Sequence, residues 1–533
     1  KRKIQKEKAL AVNIDVELAR KFTASLPYKL TDSQRVAAWR ILKDMSMPRP
    51  MNRLLEGDVG SGKTVVAALA ALMAVNSGLP RREAGLPRRE AGGQTAFMAP
   101  TEILARQHFE TLSGTLAPFN VEIALLTSSE AKFFIFGETQ KTSRKNLIKE
   151  VKSGLIKIIV GTHSLIQKNV SFKNLALAVI DEHHRFGVLQ RASLCTRSNQ
   201  RESAYIPHLL SMTATPIPRT LALTIYGDLD LSLIKELPPG RKNIITEIIP
   251  PARRRQAYEF IRRQVAEGRQ VFVICPRIDS VNTRINADQD ADQRGYIGVN
   301  PVRNNIISNG VNPRNNQRPP ASALSASDWR AGKSALLWET KAVKEEYERL
   351  KKEIFPDLKI GLLHGRMSAK EKEETMKKFS QNQINILVST SVVEVGVDIP
   401  NATIMMIEGA ERFGLAQLYQ LRGRVGRDIY QSYCFLFSDS AAGAALKRLE
   451  AVKICRSGFE LAEMDLKMRG PGDFYGIQQW GLPDLTLASL ADIELIEAAR
   501  AEANKLLDED PELKKYPLLK AKAAEFKKTI HFE

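Results

Sequence analysis

Cysteine is nearly absent. The chain holds only Cys195, Cys275, Cys434 and Cys455, widely scattered and with no CxxC pair. That excludes a disulfide framework and a cysteine-based zinc site, and it fits a reducing compartment. The histidines form no metal-ligand spacing either; only His183 and His184 are adjacent. Long apolar runs are missing, so no segment reads as a membrane-spanning helix. The opening KRKIQKEKAL is basic but has no apolar stretch, so it is not a secretory signal. Residue 1 is Lys rather than Met, as expected of a fragment whose upstream part is missing. Acid is in short supply: 79 Lys and Arg face 60 Asp and Glu, a net charge of +19. Such a surplus attracts polyanions, nucleic acid first, although a merely basic surface fits as well.

The 533 residues exceed what one core holds. Residues 1–28 read as a charged helical linker ending near Pro27. From Leu30 to Lys235, short apolar runs alternate with amphipathic stretches. The runs include Arg53–Leu55, Thr95–Met98, Ile156–Val160, Leu175–Ile180 and Leu209–Met212. That alternation predicts βαβ units, hence an α/β fold with a parallel sheet covered by helices. A second series predicts strands at Ile244–Ile249, Val271–Cys275, Lys359–Leu363, Ile384–Ser389, Thr403–Ile407 and Ser432–Leu436. The expected division is therefore residues 29–235 and 236–440 as two lobes, with 441–533 as a small, mainly helical C-terminal domain.

Two stretches read as insertions. Residues 78–93, GLPRREAGLPRREAGG, are a tandem repeat with no apolar face to bury, so they read as a solvent-exposed loop. Residues 280–339 are rich in Asn, Arg, Asp and Pro, and GVNPVRNN at Gly298 nearly recurs as GVNPRNN at Gly310. Disorder is expected there, with an extra nucleic-acid contact through Arg303, Arg314 and Arg318 as the alternative.

The strongest chemical signal is GDVGSGKT at 57–64, between an apolar run and the helical stretch Val65–Ser77. Gly57, Gly60 and Gly62, with Ser61 among them, let the backbone curl so that N–H groups face phosphate oxygens at a helix N-terminus. Lys63 should reach the β- and γ-phosphates of ATP, and the Thr64 hydroxyl should ligate Mg²⁺. The run Leu175–Ile180 then ends in Asp181 and Glu182, placed to hold Mg²⁺ and to activate water. On its own such an acid pair is usually just a loop start. Thr213 and Thr215 end another run, where hydroxyls can pass hydrogen bonds to a second lobe; an ordinary strand-to-turn junction closed by Pro216 is the plainer reading. In QLRGRVGR at 420–427, the spacing of Arg422, Arg424 and Arg427 suggests the start of a helix aiming several guanidinium groups at one place. A phosphate-backbone patch is the other possibility. Upstream, Gly396 and Asp398 follow a strand, and Asp398 could bind the ribose or link to the arginines.

These motifs in this order resemble superfamily 2 helicases. LPYKLTDSQ at 26–34, PMNRLLEGDVGSGKT at 50–64, DEHHRFGVLQR at 181–191, MTATPIPRTLAL at 212–223 and AERFGLAQLYQLRGRVGR at 410–427 resemble the RecG family more closely. So does GFELAEMDLKMRGPGDFYGIQQWG at 458–481, similar to a translocation motif shared with the transcription-repair coupling factor. The resemblance implies two tandem RecA-like lobes with ATP between them, and translocation on duplex DNA that remodels stalled forks and unwinds branched junctions in repair and recombination. It implies that Gln34 reads adenine, that Arg424 and Arg427 are the fingers, and that Thr213, Thr215 and His184 couple the lobes. It places Thr101, Arg106, Thr162, His163, His364, Arg366, Arg469 and Gln478 on the DNA path, where contacts to phosphates set affinity.

The implied cofactors are ATP and Mg²⁺. The implied partners are duplex or branched DNA and a single-stranded-DNA-binding protein, for a monomer in the bacterial cytoplasm on the nucleoid, with no membrane. Two departures stand out. His183 occupies a position where the family usually has Gln, and the wedge domain that splits forks would lie before residue 1. A coupling-factor-type translocase, an ATP-switched DNA clamp and an RNA helicase remain alternatives.

Overall fold

The computed structural model describes residues 8–77, 92–167, 169–182, 205–215, 229–236, 242–276, 343–390, 399–426, 430–439, 443–469 and 493–529. Most of the 78–93 repeat, all of 280–339, and His183, His184, Gly396, Asp398, Arg427 and Gln478 lie outside the described residues, as does the side chain of Arg469.

The first sheet has nine strands: β1 (Asn52–Gly57), β2 (Gln94–Met98), β3 (Ile123–Leu126), β4 (Ala131–Ile135), β5 (Glu138–Lys141), β6 (Ile158–Gly161), β7 (Leu175–Ile180), β8 (His208–Thr213) and β9 (Asp230–Ile234). Their order is β5-β4-β3-β6-β2-β7-β8-β1-β9. The strands from β3 to β9 along that order are parallel, and β4 and β5 form an antiparallel edge. Helices α1 (Val16–Ser25), α2 (Asp32–Met45), α3 (Lys63–Asn76), α4 (Glu102–Leu116) and α5 (Arg144–Ser153) cover it. Two apolar clusters sandwich the sheet, which is why β7, LALAVI, is buried at every position and reads as a continuous apolar run. Helix α3 is central. Each residue from Val65 to Ala74 is buried, so its sequence is apolar all round rather than amphipathic.

The second sheet has six parallel strands: β10 (Ile245–Ile249), β11 (Gln270–Ile274), β12 (Ile360–Leu363), β13 (Ile386–Ser389), β14 (Ala402–Ile407) and β15 (Tyr433–Phe437). Their order is β10-β15-β14-β11-β13-β12. Helices α6 (Arg254–Ala266), α7 (Ala369–Ser380) and α8 (Leu415–Arg422) accompany it. Two further helices, α9 (Gly443–Ile454) and α10 (Gly458–Arg469), form a hairpin whose Leu449, Val452 and Leu461 join the core around Leu418 and Leu421 of α8. Helices α11 (Ile493–Glu509) and α12 (Pro517–Thr529) complete the described chain. None of the described helices is long and apolar enough to cross a membrane.

The architecture is the expected one, two parallel-sheet lobes and a helical C-terminal region. Two local expectations are corrected. Among the described residues of the N-terminal segment, Val16–Ser25 is helical and residues 8–15 form no helix; Asp15 is extended and caps the helix by accepting from the Leu18 amide, which fixes the start there. The RGR motif ends a helix rather than starting one: α8 stops at Arg422, and the Arg424 and Val425 amides bond back only three residues, to Leu421 and Arg422, as turns. Arg422 and Arg424 therefore do not share one target: Arg422 donates to the carbonyls of Val452 and Cys455, whereas Arg424 acts on Lys63.

Candidate nucleotide site and nucleic-acid face

In a parallel sheet, functional groups gather at the strands' C-terminal edge. β1 delivers Gly57 there. Gly60 and Gly62 have φ of 78° and 84°, a left-handed region that costs other residues about 1–2 kcal/mol. The resulting turn hands the chain to α3, whose N-cap, Gly62, provides no side-chain bond. The leading amides of α3 are thus left for an anion. Lys63 Nζ donates to the carbonyls of Gly57 at 2.7 Å and Asp58 at 2.9 Å. Ser61 is fully buried and Thr64 half-buried on the first turn of α3. Gln34 is 1% exposed. Its amide nitrogen donates to the Ser61 carbonyl at 2.8 Å and its amide oxygen accepts from the Thr31 N–H at 2.8 Å, so both ends of the amide brace the turn against α2.

β7 delivers the acids. Burial pushes the Asp181 carboxyl up, but a hydrogen bond from His108 Nε2 at 2.7 Å, with the nearby Lys63, holds it below the usual carboxylate range. The Glu182 amide donates to Asp181 as well, at 3.0 Å. Glu182 itself has φ of 51°, strained for a side-chain-bearing residue, and such strain gathers where a side chain must be aimed. Burial lowers the Lys63 amine, while Glu182, Asp181 and Asp58 act to raise it and Arg424 to lower it. The field at Lys63 therefore combines acids from β7 with an arginine from the second lobe.

Other contacts cross between the lobes. The Thr213 hydroxyl donates to Thr215 Oγ1 at 3.1 Å, and Gln420 Nε2 of α8 donates to the same oxygen at 3.2 Å. Tyr419 donates its hydroxyl to Asp58 at 2.8 Å. Arg422 turns the other way: it donates to the carbonyls of Val452 at 2.6 Å and Cys455 at 3.1 Å and lies 4.5 Å over the Tyr419 ring. A cavity of about 350 Å³ lies here, lined among others by Asp58, Lys242, Tyr419, Lys453 and Arg456.

The expected nucleic-acid residues also follow strand ends. Thr101, after β2, caps α4 by accepting from the Leu104 amide. Thr162 and the exposed His163 follow β6. His364 and the exposed Arg366 follow β12; burial, then Lys344, Lys372 and Arg366, lowers the His364 imidazole below its ordinary value. Arg106 is engaged with protein, pairing with Glu130 at 3.1 Å and, across the lobes, with Glu373 at 2.5 Å. The residues that reasoning from sequence missed are His108, Asp58, Tyr419, Gln420 and Glu373. Asp58, Tyr419 and Gln420 lay inside motifs already singled out; His108 and Glu373 carried no local signal.

Known families match this geometry. The DEAD/DEAH box helicase model matches residues 31–224, the helicase conserved C-terminal domain 330–428, and the C-terminal part of domain 3 of ATP-dependent DNA helicase RecG 455–531. RecG of Synechocystis sp. is 44% identical over 95% of this chain and 51% of its own length. RecG of Thermotoga maritima is 40% identical over 96% of this chain and 56% of its own. A solved structure of RecG bound to a three-way DNA junction superposes with a TM-score of 0.65 at 37% identity, covering 93% of this chain and 54% of that one. The chain thus spans about half the length of the curated relatives it matches. The helicase models fall in both lobes and the RecG domain 3 model reaches over α10 to α12, so the chain is similar to RecG along most of its length.

Proposed function

We propose that this chain is an ATP-dependent DNA translocase and helicase that acts on branched DNA, remodelling stalled forks and recombination intermediates. The observation that carries this reading is the convergence on Lys63 of Asp181 and Glu182 from one lobe and Arg424 from the other. Hydrolytic groups divided between two bodies make turnover depend on how those bodies sit, which is how a motor links chemistry to movement. Lys63 and the turn Gly57–Gly62 hold the phosphates. Glu182 orients and deprotonates the attacking water, and Arg424 with Arg427 offsets the charge that develops on the leaving oxygens. Gly396 and Asp398 complete the nucleotide site, and Thr213, Thr215 and His184 couple it to the second lobe.

The donor set fits magnesium. Asp181 is held ionised, the Thr64 hydroxyl sits on the first turn of α3, and among the described residues no three His, Cys, Asp or Glu side chains gather as a dedicated metal cage. Mg²⁺ takes most of its shell from water and substrate phosphate, and would there neutralise phosphate charge. The net charge of +19 and the strand-end residues Thr101, Thr162, His163, His364 and Arg366, with Arg106, Arg469 and Gln478, form the DNA path. The RecG structure solved on a three-way junction supports a branched substrate. We place the protein in the bacterial cytoplasm on the nucleoid, as a monomer with lobes at 29–235 and 236–440, and with a single-stranded-DNA-binding protein as partner. The test is steady-state ATPase at fixed salt with no nucleic acid, single-stranded DNA, duplex, fork and RNA. Stimulation by fork above duplex supports the reading; stimulation by RNA alone overturns it.

A further inference from the structure

Within GDVGSGKT the phosphate-binding pattern constrains the glycines, Lys63 and Thr64 and leaves position 58 open. The residue there is nonetheless a carboxylate, and only 8% exposed. A buried carboxylate needs partners. Asp58 finds them in distant sequence: the Tyr419 hydroxyl at 2.8 Å, and the Gly458 amide at 3.1 and 3.3 Å from its two oxygens.

These partners sit at the joint between α8 and the α9–α10 hairpin. Gly458 is the first residue of α10. The Ser457 hydroxyl accepts from the Glu460 amide and the Ser457 carbonyl from the Leu461 amide, so Asp58 satisfies an α10 amide that the hairpin does not satisfy itself. Tyr419 lies beneath Arg422, which holds the carbonyls of Val452 and Cys455 at the far end of α9. The turn between α9 and α10 is thus tied at both ends to α8 and the P-loop. Backbone fit agrees. Gly423 has φ of −69°, which any residue adopts, yet a Cβ there would meet Val59 Cβ at 3.0 Å. Glycine at 423 gives room for close approach of the P-loop, not for a special backbone conformation.

We propose that Asp58 is a positioning residue that ties the phosphate-binding turn to the α9–α10 hairpin through Tyr419 and the Gly458 amide, so that nucleotide binding at the turn shifts the hairpin. The proposal rests on the motor reading for its consequence, since the hairpin leads into the segment that resembles a translocation motif.

Hydrogen–deuterium exchange on the full chain tests it, with and without adenylyl imidodiphosphate, alongside ATPase with and without duplex DNA. In the wild type the analogue changes exchange across residues 452–460. Tyr419→Phe abolishes that change while basal ATPase stays within about twofold, and it lowers DNA stimulation by about fivefold or more. Asp58→Ala does the same to exchange and stimulation. Asp58→Asn, whose carbonyl still accepts from Gly458 and whose amide can donate to the Tyr419 oxygen, recovers most of both. Unaltered nucleotide-dependent exchange in Tyr419→Phe and Asp58→Ala, or none in the wild type, overturns the proposal. If Asp58→Ala melts early, Tyr419→Phe decides alone. A wild type that DNA does not stimulate sinks the motor reading, while the exchange arm still decides this one.

Discussion

Adding one methyl group at Gly62 tests whether the P-loop is braced as described. At φ of 84° an L side chain is strained by about 1–2 kcal/mol. The new Cβ would lie 2.3 Å from Gln34 Nε2 and 3.3 Å from its Cδ, closer than such atoms approach. Gln34 must therefore leave, and its bonds to Ser61 and Thr31 are lost in a site 1% exposed. A buried polar group stripped of its partners costs about 1–3 kcal/mol. The Gly62→Ala variant is expected to lose about 2–5 kcal/mol, a fall of about 5–15 °C in the first lobe's melting temperature. In a Gln34→Ala background the clash is gone and only backbone strain remains. A double-mutant cycle read by thermal or urea unfolding should then show a coupling of about 1–3 kcal/mol. Strictly additive effects, or a neutral Gly62→Ala, would refute the bracing of the turn by Gln34.

Other expectations concern catalysis and pH. Glu182→Gln should cut ATP turnover by roughly 10²–10⁴-fold with unchanged melting, and near-normal ATPase would reassign the general base. Arg424→Ala should lower kcat by about a thousandfold with little change in ATP KM, as expected of a group acting on developing charge; a KM effect alone would make it a binding residue. Burial and the neighbouring Glu346 push the Glu408 carboxyl up to about 7, against the pull of Arg254 and Arg349, with Asp439 and Tyr258 also facing it. The folded carboxyl thus holds its proton more tightly than the unfolded one. The stability it contributes is complete below pH 4.5 and lost as pH rises through about 7. Unfolding titrations should show a decline over that window of about 2–3 kcal/mol that Glu408→Gln flattens, and a decline of equal size in the variant would refute the assignment.

Much of the fold is legible because buried parallel strands write themselves as apolar runs. β7 is apolar at all six positions, and its predicted bounds, Leu175–Ile180, are the observed ones. β3, IALL, is just as buried but only four residues long, too short to stand out from a helix turn. β5, ETQK, is an edge strand exposed at every position, so no apolar run marks it, whereas β4 carries Phe133, Phe134 and Ile135 but is only half-buried. β9, DLSLI, alternates and looks like a loop until it pairs with β1. The site divides in the same way. The P-loop is readable because its chemistry depends on consecutive backbone conformations. His108 beside Asp181, and Asp58 beside Tyr419 and Gly458, are joined only by the folding of segments far apart in the chain, which no spacing encodes. The RGR motif misled for a local reason: α8 ends at Arg422, so the closely spaced Arg422 and Arg424 reach different partners.

The most direct measurement is strand separation of a three-way DNA junction by this chain with ATP and magnesium, set beside Lys63→Ala. ATP-dependent unwinding by the wild type, absent in the variant and without ATP, is the expected result. A junction bound by the wild type but left intact while ATP turns over, or unwinding that survives Lys63→Ala, would contradict the assignment of this chain as an ATP-driven DNA motor.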